Sequence, residues 1–192
     1  MLCKHLVFSL CLGVIFIARP LSAQLVELPL EEIFGRSALI VEGRVIEQQS
    51  FWDNQHQNIY TNNRIQVSRI FKGGSSVPTT LNVITPGGIV GDQMQRVSES
   101  VEYAPGAVGL FCLIPSLLDL PLTPVWENYG APQGFFQYSL SANSVGHPFH
   151  PQSGIAGFRE NLRQYTHKQE IILPVAQLEA ETANRATPII SS

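Results

Sequence analysis

Long apolar runs are scarce in this sequence. The longest, residues 6–18, has about 13 residues and falls short of the roughly 20 that a membrane-spanning helix needs. Lys4 precedes this run, and Pro20 and Ala23 follow it, which is the pattern of a signal peptide over residues 1–23. We therefore expect an exported protein, secreted or held at the cell surface, that does not insert into the membrane after cleavage.

Cysteine is also scarce, with three in the chain. Cys3 and Cys11 belong to the predicted signal peptide, so Cys112 is left without a partner for an internal disulfide. The exported domain must then be stabilised by the burial of apolar side chains. No basic residue adjoins Cys112 in the sequence, which predicts a buried and inert thiol rather than a reactive one.

Charged residues make up only 14% of the chain, and positive charge is the rarer sign. Lys4 and Arg19 are two of the 12 basic residues, so 10 remain after the predicted cleavage against 15 acidic residues, a net charge of about −5. This balance argues against a nucleic-acid partner, because phosphate recognition depends on clustered lysine and arginine. The 13 prolines and 15 glycines suit an all-β chain with many turns better than a helical bundle.

Two segments, residues 39–45 and 59–68, alternate apolar and polar side chains with the period of a β-strand. A link rich in Asp and Asn, residues 53–58, joins them and predicts an antiparallel hairpin. Glu42 and Arg44 fall on its polar face. We therefore expect a sheet that is buried on one side only.

The rest of the chain predicts short strands between two helices. Pro29 near a first turn indicates a short helix over residues 29–37, and a second helix is expected to begin at Ser153 or Gly154. Five or six strands in meander order predict a small OB-like barrel of antiparallel strands, with a β-sandwich as the alternative. Further strands are expected over residues 80–85, 93–97, 107–114 and 134–140, the last of them closing the sheet or lying on its edge.

The expected division of the chain has three parts. Residues 1–23 form the signal peptide and residues 24–173 the β-barrel domain. Residues 174–192, which are polar and rich in Ala, Glu and Thr, are interpreted as a linker or as the truncated start of a following domain.

No set of residues predicts an active site, a metal or a cofactor. His147 and His150 are three residues apart, but zinc needs three or four ligands and the other candidates are scattered, so exposed loop histidines are the favoured interpretation. The chain has no GxSxG motif for a hydrolase. The GGIVG run at residues 87–91 lacks the Lys-Ser/Thr pair and the helix of a phosphate loop. We therefore expect a protein that is not an enzyme.

An aromatic cluster at the expected hairpin tip is the best candidate for a ligand site. It contains Phe51, Trp52 and Tyr60, with His56 in the link. Aromatic faces on the open surface of a barrel can stack on sugars or bases. Trp52, His56 and Tyr60 are therefore the predicted ligand-binding residues. The alternative is that these rings pair across the strands and cap the core.

Five segments in succession resemble the N-terminal β-domain of large secreted proteins from Bacteroidetes-type bacteria. They are VEGRV, FWDNQHQNIYT, RIFKGG, VITPGGIVGDQMQRVS and PGAVGLFCL. The resemblance covers about residues 30–170 and rests on strand and turn motifs, so it implies no catalytic residue. In such proteins the domain is followed by IPT/TIG immunoglobulin-like domains, sometimes by a matrixin-like metallopeptidase, and by a sorting domain for type IX secretion. The closing ATPIISS is similar to the entry into an IPT/TIG domain.

Two functions are expected from these observations. The first is a non-catalytic secreted or cell-surface β-module that acts in adhesion, glycan contact or spacing at the start of a larger extracellular protein. Its partners would be a glycan or a surface protein, together with further domains of the same polypeptide. The alternative is a prodomain or substrate-positioning domain of a downstream secreted metallopeptidase. The lack of a predicted nucleophile or metal set favours the first.

Overall fold

The computed structural model describes residues 25–166 and 170–173, so the predicted signal peptide and the predicted linker lie outside the described residues. Two α-helices are described, α1 (Leu30–Arg36) and α2 (Ile155–Thr166). Neither of them is long and apolar enough to cross a membrane. The strands are β1 (Leu39–Trp52), β2 (Ile59–Lys72), β3 (Thr80–Pro86), β4 (Gly88–Val90), β5 (Gln93–Gln95), β6 (Val108–Pro115), β7 (Trp126–Asn128), β8 (Phe135–Ser139), β9 (Ser144–Gly146), β10 (Gln152–Ser153) and β11 (Ile171–Ile172).

Five strands close into a barrel in the order β1-β2-β3-β7-β6, with β6 returning to β1. The long hairpin of β1 and β2 is antiparallel, as the sequence predicts, and β3 continues it. β7 then lies parallel to β3, pairing Trp126 with Val83, and antiparallel to β6. The expected small OB-like barrel is confirmed. The expected meander order is wrong after β3. The next barrel strand along the chain is β6, which pairs with β1, and β7 then lies between β3 and β6.

The remaining strands extend this barrel on one side. β8 pairs with the first half of β6, and β9 and β10 follow it outward. The segment expected to close the sheet or to lie on its edge is therefore an interior strand, and β7 closes the barrel instead. β4 and β5 form a separate two-stranded hairpin, and β11 adds to the far end of β2.

The barrel interior is the first of two cores. Gly43 faces inward where β1 and β2 approach closely, and a Cβ there would lie 2.5 Å from the Gln66 carbonyl oxygen. Only glycine fits such an approach. The interior is filled by apolar side chains from all five strands and from the loop before β6, among them Leu39, Val41, Val45, Ile65, Val67, Leu81, Val83, Tyr103, Phe111 and Leu113.

A second core covers the outer face of β1, β6 and β8. Helices α1 and α2 lie on that face and bury Cys112, as predicted, together with Phe136. Burial raises the pKa of the Cys112 thiol. The expectation of a sheet buried on one side only is wrong here. Glu42, assigned to a polar face, is 2% exposed because Arg159 of α2 supplies its counter-charge.

Candidate functional site

The turn between β1 and β2 is built by one carboxylate. Asp53 accepts hydrogen bonds from the backbone N–H groups of Gln57 (2.8 Å) and Asn58 (3.1 Å) and from the Asn58 amide (3.0 Å). The hydrogen bond from Gln57 is the main reason that the pKa of Asp53 is lowered. A local Asx-type network of this kind fixes a turn without help from the core. The aromatic residues on either side of it are thereby held in register.

The three predicted ligand-binding residues do not form one cluster. In the hairpin, Trp52 is opposite Ile59, while Tyr60 is opposite Phe51, and neighbouring pairs in a ladder face opposite sides of the sheet. Trp52 lies against His56, with ring centroids 6.5 Å apart and planes 18° from parallel. Tyr60 lies on the other face. The structure therefore brings Trp52 and His56 together and separates Tyr60 from both.

Tyr60 and Phe51 pack on a small apolar cluster that joins the hairpin tip to the loop between β6 and β7. The cluster consists of Ile84, Leu120 and Val125. Polar contacts reinforce the connection. Asp119 in the same loop accepts hydrogen bonds from the Asn54 amide (2.8 Å) and the Gln55 amide (3.2 Å). Phe51 and Tyr60 therefore follow the expected alternative in part, because they pair across the strands and pack on an apolar cluster.

A cleft of about 480 Å³ opens beside the parallel pair of β3 and β7. In the described chain these two strands pair at one position, and the residues after it on both strands line the cleft. We call it the β3–β7 cleft. Its wall includes Tyr60 from β2, Ile84 from β3, Glu127 and Asn128 from β7, and the loop segment 97–101. Its volume falls in the range of about 300–1,000 Å³ that is typical of small-molecule sites.

The position of the cleft agrees with the way OB-like barrels bind ligands. In such barrels the face of the second and third strands, with the loops after the first and fourth strands, contacts the ligand. Here those loops are the turn at residues 53–58 and the β6–β7 loop, which Asp119 holds together. Only the β6–β7 loop lines the cleft, through Leu118, and the turn lies outside its wall. Two half-exposed apolar side chains at the rim, Val97 and Leu118, also line the cleft.

Asn128, a residue of the cleft wall, turns its side chain toward the barrel interior. It is opposite Leu113 in the β6–β7 ladder, and Leu113 and Tyr103 belong to the barrel core. Burial raises the pKa of Tyr103, and a hydrogen bond with the Asn128 side chain opposes this increase. The two buried polar groups therefore contact each other behind the wall of the cleft.

The charge in the β3–β7 cleft is negative. Glu99 and Glu127 are in its wall, and none of the described residues that line it is Lys, Arg or His. Burial raises the pKa of Tyr60, and the negative charges of Asp53 and Glu127 raise it further. Ser116 donates a hydrogen bond to Glu127 and holds that carboxylate in place. Arg96 lines a smaller adjoining cavity of about 120 Å³.

The two histidines of the HPFHP run are not exposed loop residues, contrary to expectation. His147 is 9% exposed, and its ring lies between those of Phe136 (4.2 Å) and His150 (5.1 Å). His147 Nε2 is bonded to the Gln133 carbonyl (2.9 Å), while Nδ1 accepts from the backbone N–H of His150 (3.0 Å). Both ring nitrogens are thus used by the backbone. Burial, the main cause, lowers the pKa of His147.

No group of three or more potential metal ligands occurs within the described residues. His150 Nε2 is bonded to the Leu28 carbonyl (2.8 Å), which ties the chain before α1 to the loop after β9. Both histidines therefore contribute to packing and to contacts with the backbone. His167, one of the scattered histidines of the sequence, lies outside the described residues.

The sequence gives no signal for most of the cleft. Glu127 and Asn128 lie in a strand of three residues, too short to show a period, inside a segment punctuated by proline. Tyr103 and residues 97–101 lie between strands. Neither a protein-family model, nor a curated protein, nor a solved structure matches this chain.

Proposed function

We propose that this chain is a non-catalytic secreted or cell-surface module that contacts a glycan through the β3–β7 cleft. One observation carries the proposal. Residues of β2, β3 and β7, the loop segment 97–101 and Leu118 of the β6–β7 loop together form a cleft of ligand size with an aromatic residue, Tyr60, in its wall. Aromatic rings beside carboxylate groups suit sugars, whose faces are apolar and whose edges are polar.

Export and adhesion belong to the same proposal. The pattern of residues 1–23 supports export. The resemblance to the first domain of large extracellular proteins supports a role in adhesion or spacing. The cleft adds a contact point for a surface glycan to this picture.

The structure allows a sharper mutational test than the sequence does, because Tyr60 and Trp52 lie on opposite faces of one hairpin. The purified protein and the variants Tyr60→Ala and Trp52→Ala are applied to a glycan array, after thermal melts show that each variant is folded. We expect Tyr60→Ala to lose binding and Trp52→Ala, the matched control, to retain it. Glu127→Gln gives a second variant at the cleft that leaves the packing of Tyr60 intact.

Two results would contradict the proposal. Binding that depends on Trp52 and not on Tyr60 would move the contact to the other face of the hairpin. Release of reducing sugar from a bound glycan during prolonged incubation would show that the cleft is catalytic.

A further inference from the structure

We propose that residues 96–100 form a lid over the β3–β7 cleft, and that opening of this lid joins the cleft to the smaller cavity beside it. The lid controls access to the site of the proposed function and rests on that proposal for the identity of the ligand. Three features of the fold point to it. The segment divides two cavities, one hydrogen bond holds it closed, and its backbone is strained.

Two cavities lie on either side of this segment, the cleft of about 480 Å³ and the cavity of about 120 Å³. Four residues line both of them and so form the partition: Thr85, Pro86, Val97 and Val101. Thr85 and Pro86 belong to β3, and Val101 packs against the barrel core. Val97 is 41% exposed and is the part of the partition that can move. When the lid swings outward, the two spaces become continuous.

The lid is fixed at both ends and weakly held between them. Gln95, just before it, accepts a hydrogen bond from the backbone N–H of Ile59. Val101, just after it, is anchored in the barrel core. Among the described residues, a single hydrogen bond joins the lid to the barrel, from the Ser100 hydroxyl to the Pro86 carbonyl (3.2 Å). A segment with so few contacts opens more easily than the strands around it.

The closed position of the lid carries a backbone cost. Glu99 has a φ of 60°, in the left-handed region, which is unfavourable for a residue with a Cβ. It lies inside a turn that the Ser100 N–H closes by donating to the Val97 carbonyl (3.4 Å). Strain of this kind is released when the turn opens, so it opposes the hydrogen bond from Ser100 to Pro86. The open and closed positions are therefore close in free energy, and a ligand that prefers one of them shifts the balance.

Opening of the lid adds neutral hydrogen-bonding groups to the cleft. On the cleft side the wall places Tyr60 and Ile84 beside the carboxylate of Glu127. The smaller cavity is lined by amide and hydroxyl side chains, among them Gln48, Thr61, Asn63 and Gln95. Ligand sites typically combine an apolar wall with a few polar groups of this kind. A glycan that enters beside Tyr60 therefore reaches the polar groups after the lid has moved, which couples binding to opening.

Labelling of a thiol placed behind the lid tests the proposal. Thr85 is 7% exposed and lines both spaces, so the variant Thr85→Cys reports when the lid is open. The folded variant is treated with N-ethylmaleimide, an uncharged reagent, and labelling is followed by mass spectrometry of its peptides. Ser100→Ala and Glu99→Gly are added separately to this background. The matched controls are Ser98→Ala, which changes an exposed serine of the lid, and Glu99→Gln, which removes the charge and keeps the Cβ.

We expect Ser100→Ala to raise the labelling rate of the introduced thiol about tenfold, the amount that corresponds to one hydrogen bond, and Ser98→Ala to leave the rate unchanged. Glu99→Gly should lower the rate about threefold relative to Glu99→Gln, because the relief of strain in the closed turn exceeds the freedom that glycine gains on opening. Equal rates in Ser100→Ala and Ser98→Ala would overturn the lid. Labelling that rises in step with that of the buried Cys112 would overturn it as well, because access would then come from global unfolding. Labelling that depends on Ser100, together with an absence of Tyr60-dependent glycan binding, would overturn the proposed function and leave the lid standing.

Discussion

Removal of Arg159 should destabilise the domain through one buried carboxylate. The Glu42 side chain is 3% exposed and receives two hydrogen bonds from Arg159, at 2.7 and 3.0 Å. Tyr138 donates a third at 2.6 Å, and Arg69 approaches to 3.4 Å. Burial disfavours the charged guanidinium of Arg159, but its hydrogen bonds and charge interaction with Glu42 outweigh this, so its pKa is raised. Arg159→Met keeps the length of the side chain and removes its charge.

The magnitude follows from the charge that is left behind. Removing one partner of a buried ion pair typically costs about 3–5 kcal/mol, because the other charge remains buried without compensation. Tyr138 and Arg69 still contact Glu42 after the substitution, so we expect the lower end, about 3 kcal/mol. For a chain of this length that corresponds to a decrease in Tm of about 6–12 °C.

Urea unfolding, followed by circular dichroism and by fluorescence, measures the effect. Arg64→Met is the control, since Arg64 pairs with Glu47 at the surface. The Arg64 side chain is 44% exposed and that of Glu47 is 51% exposed. Such a pair contributes about 0–1 kcal/mol to stability. Glu42→Leu/Arg159→Met removes both charges and should recover most of the loss. A loss below about 1 kcal/mol in Arg159→Met would refute the reasoning, because Glu42 would then be compensated or hydrated without Arg159.

Val67→Asp should unfold the domain at room temperature in a melting experiment. Val67 is fully buried inside the barrel, and an unpaired carboxylate there costs several kcal/mol. A melt like that of the parent would mean that Val67 does not face the barrel interior. His147 has a folded-state pKa below its ordinary value of 6.5. As the pH falls, the unfolded chain is therefore protonated at His147 before the folded chain is. The free energy of unfolding should fall as the pH drops below about 6.5. His147→Gln should flatten this part of the urea-derived stability profile, and an unchanged slope would contradict the assignment of a buried neutral imidazole.

The parts of the fold that the sequence predicted are those with long regular patterns. β1 and β2 have 14 residues each, long enough to show the two-residue period, and the inward positions Val41, Ile65 and Val67 follow from it. The pattern fails at Ser68, where a bulge shifts the register, so that Ile70 enters the barrel. A bulge adds a residue that no period reveals.

The outer face of the sheet shows a second limit. Glu42 reads as a solvent-facing residue because charged side chains are seldom fully buried. Its burial depends on Arg159, which is 117 positions later in the chain and reaches it only when α2 lies across β1. The expected exposure of His147 is wrong for the same reason, since its burial depends on the ring of Phe136 and on the carbonyl of Gln133. Long-range partners of this kind leave no local signal.

The candidate site depends on the one barrel strand that the sequence did not predict. β7 has three residues, and its parallel pairing with β3 brings Glu127 and Asn128 beside Ile84. The aromatic rings of Tyr60 and Trp52 predict a shared site in the sequence, but alternation along the hairpin places the two rings on opposite faces. The proposed contact of Tyr60 with a ligand depends on its place in the cleft wall and not on the hairpin tip. The contrast between Tyr60→Ala and Trp52→Ala therefore tests whether the ligand contacts the hairpin face that lines the cleft or the opposite face.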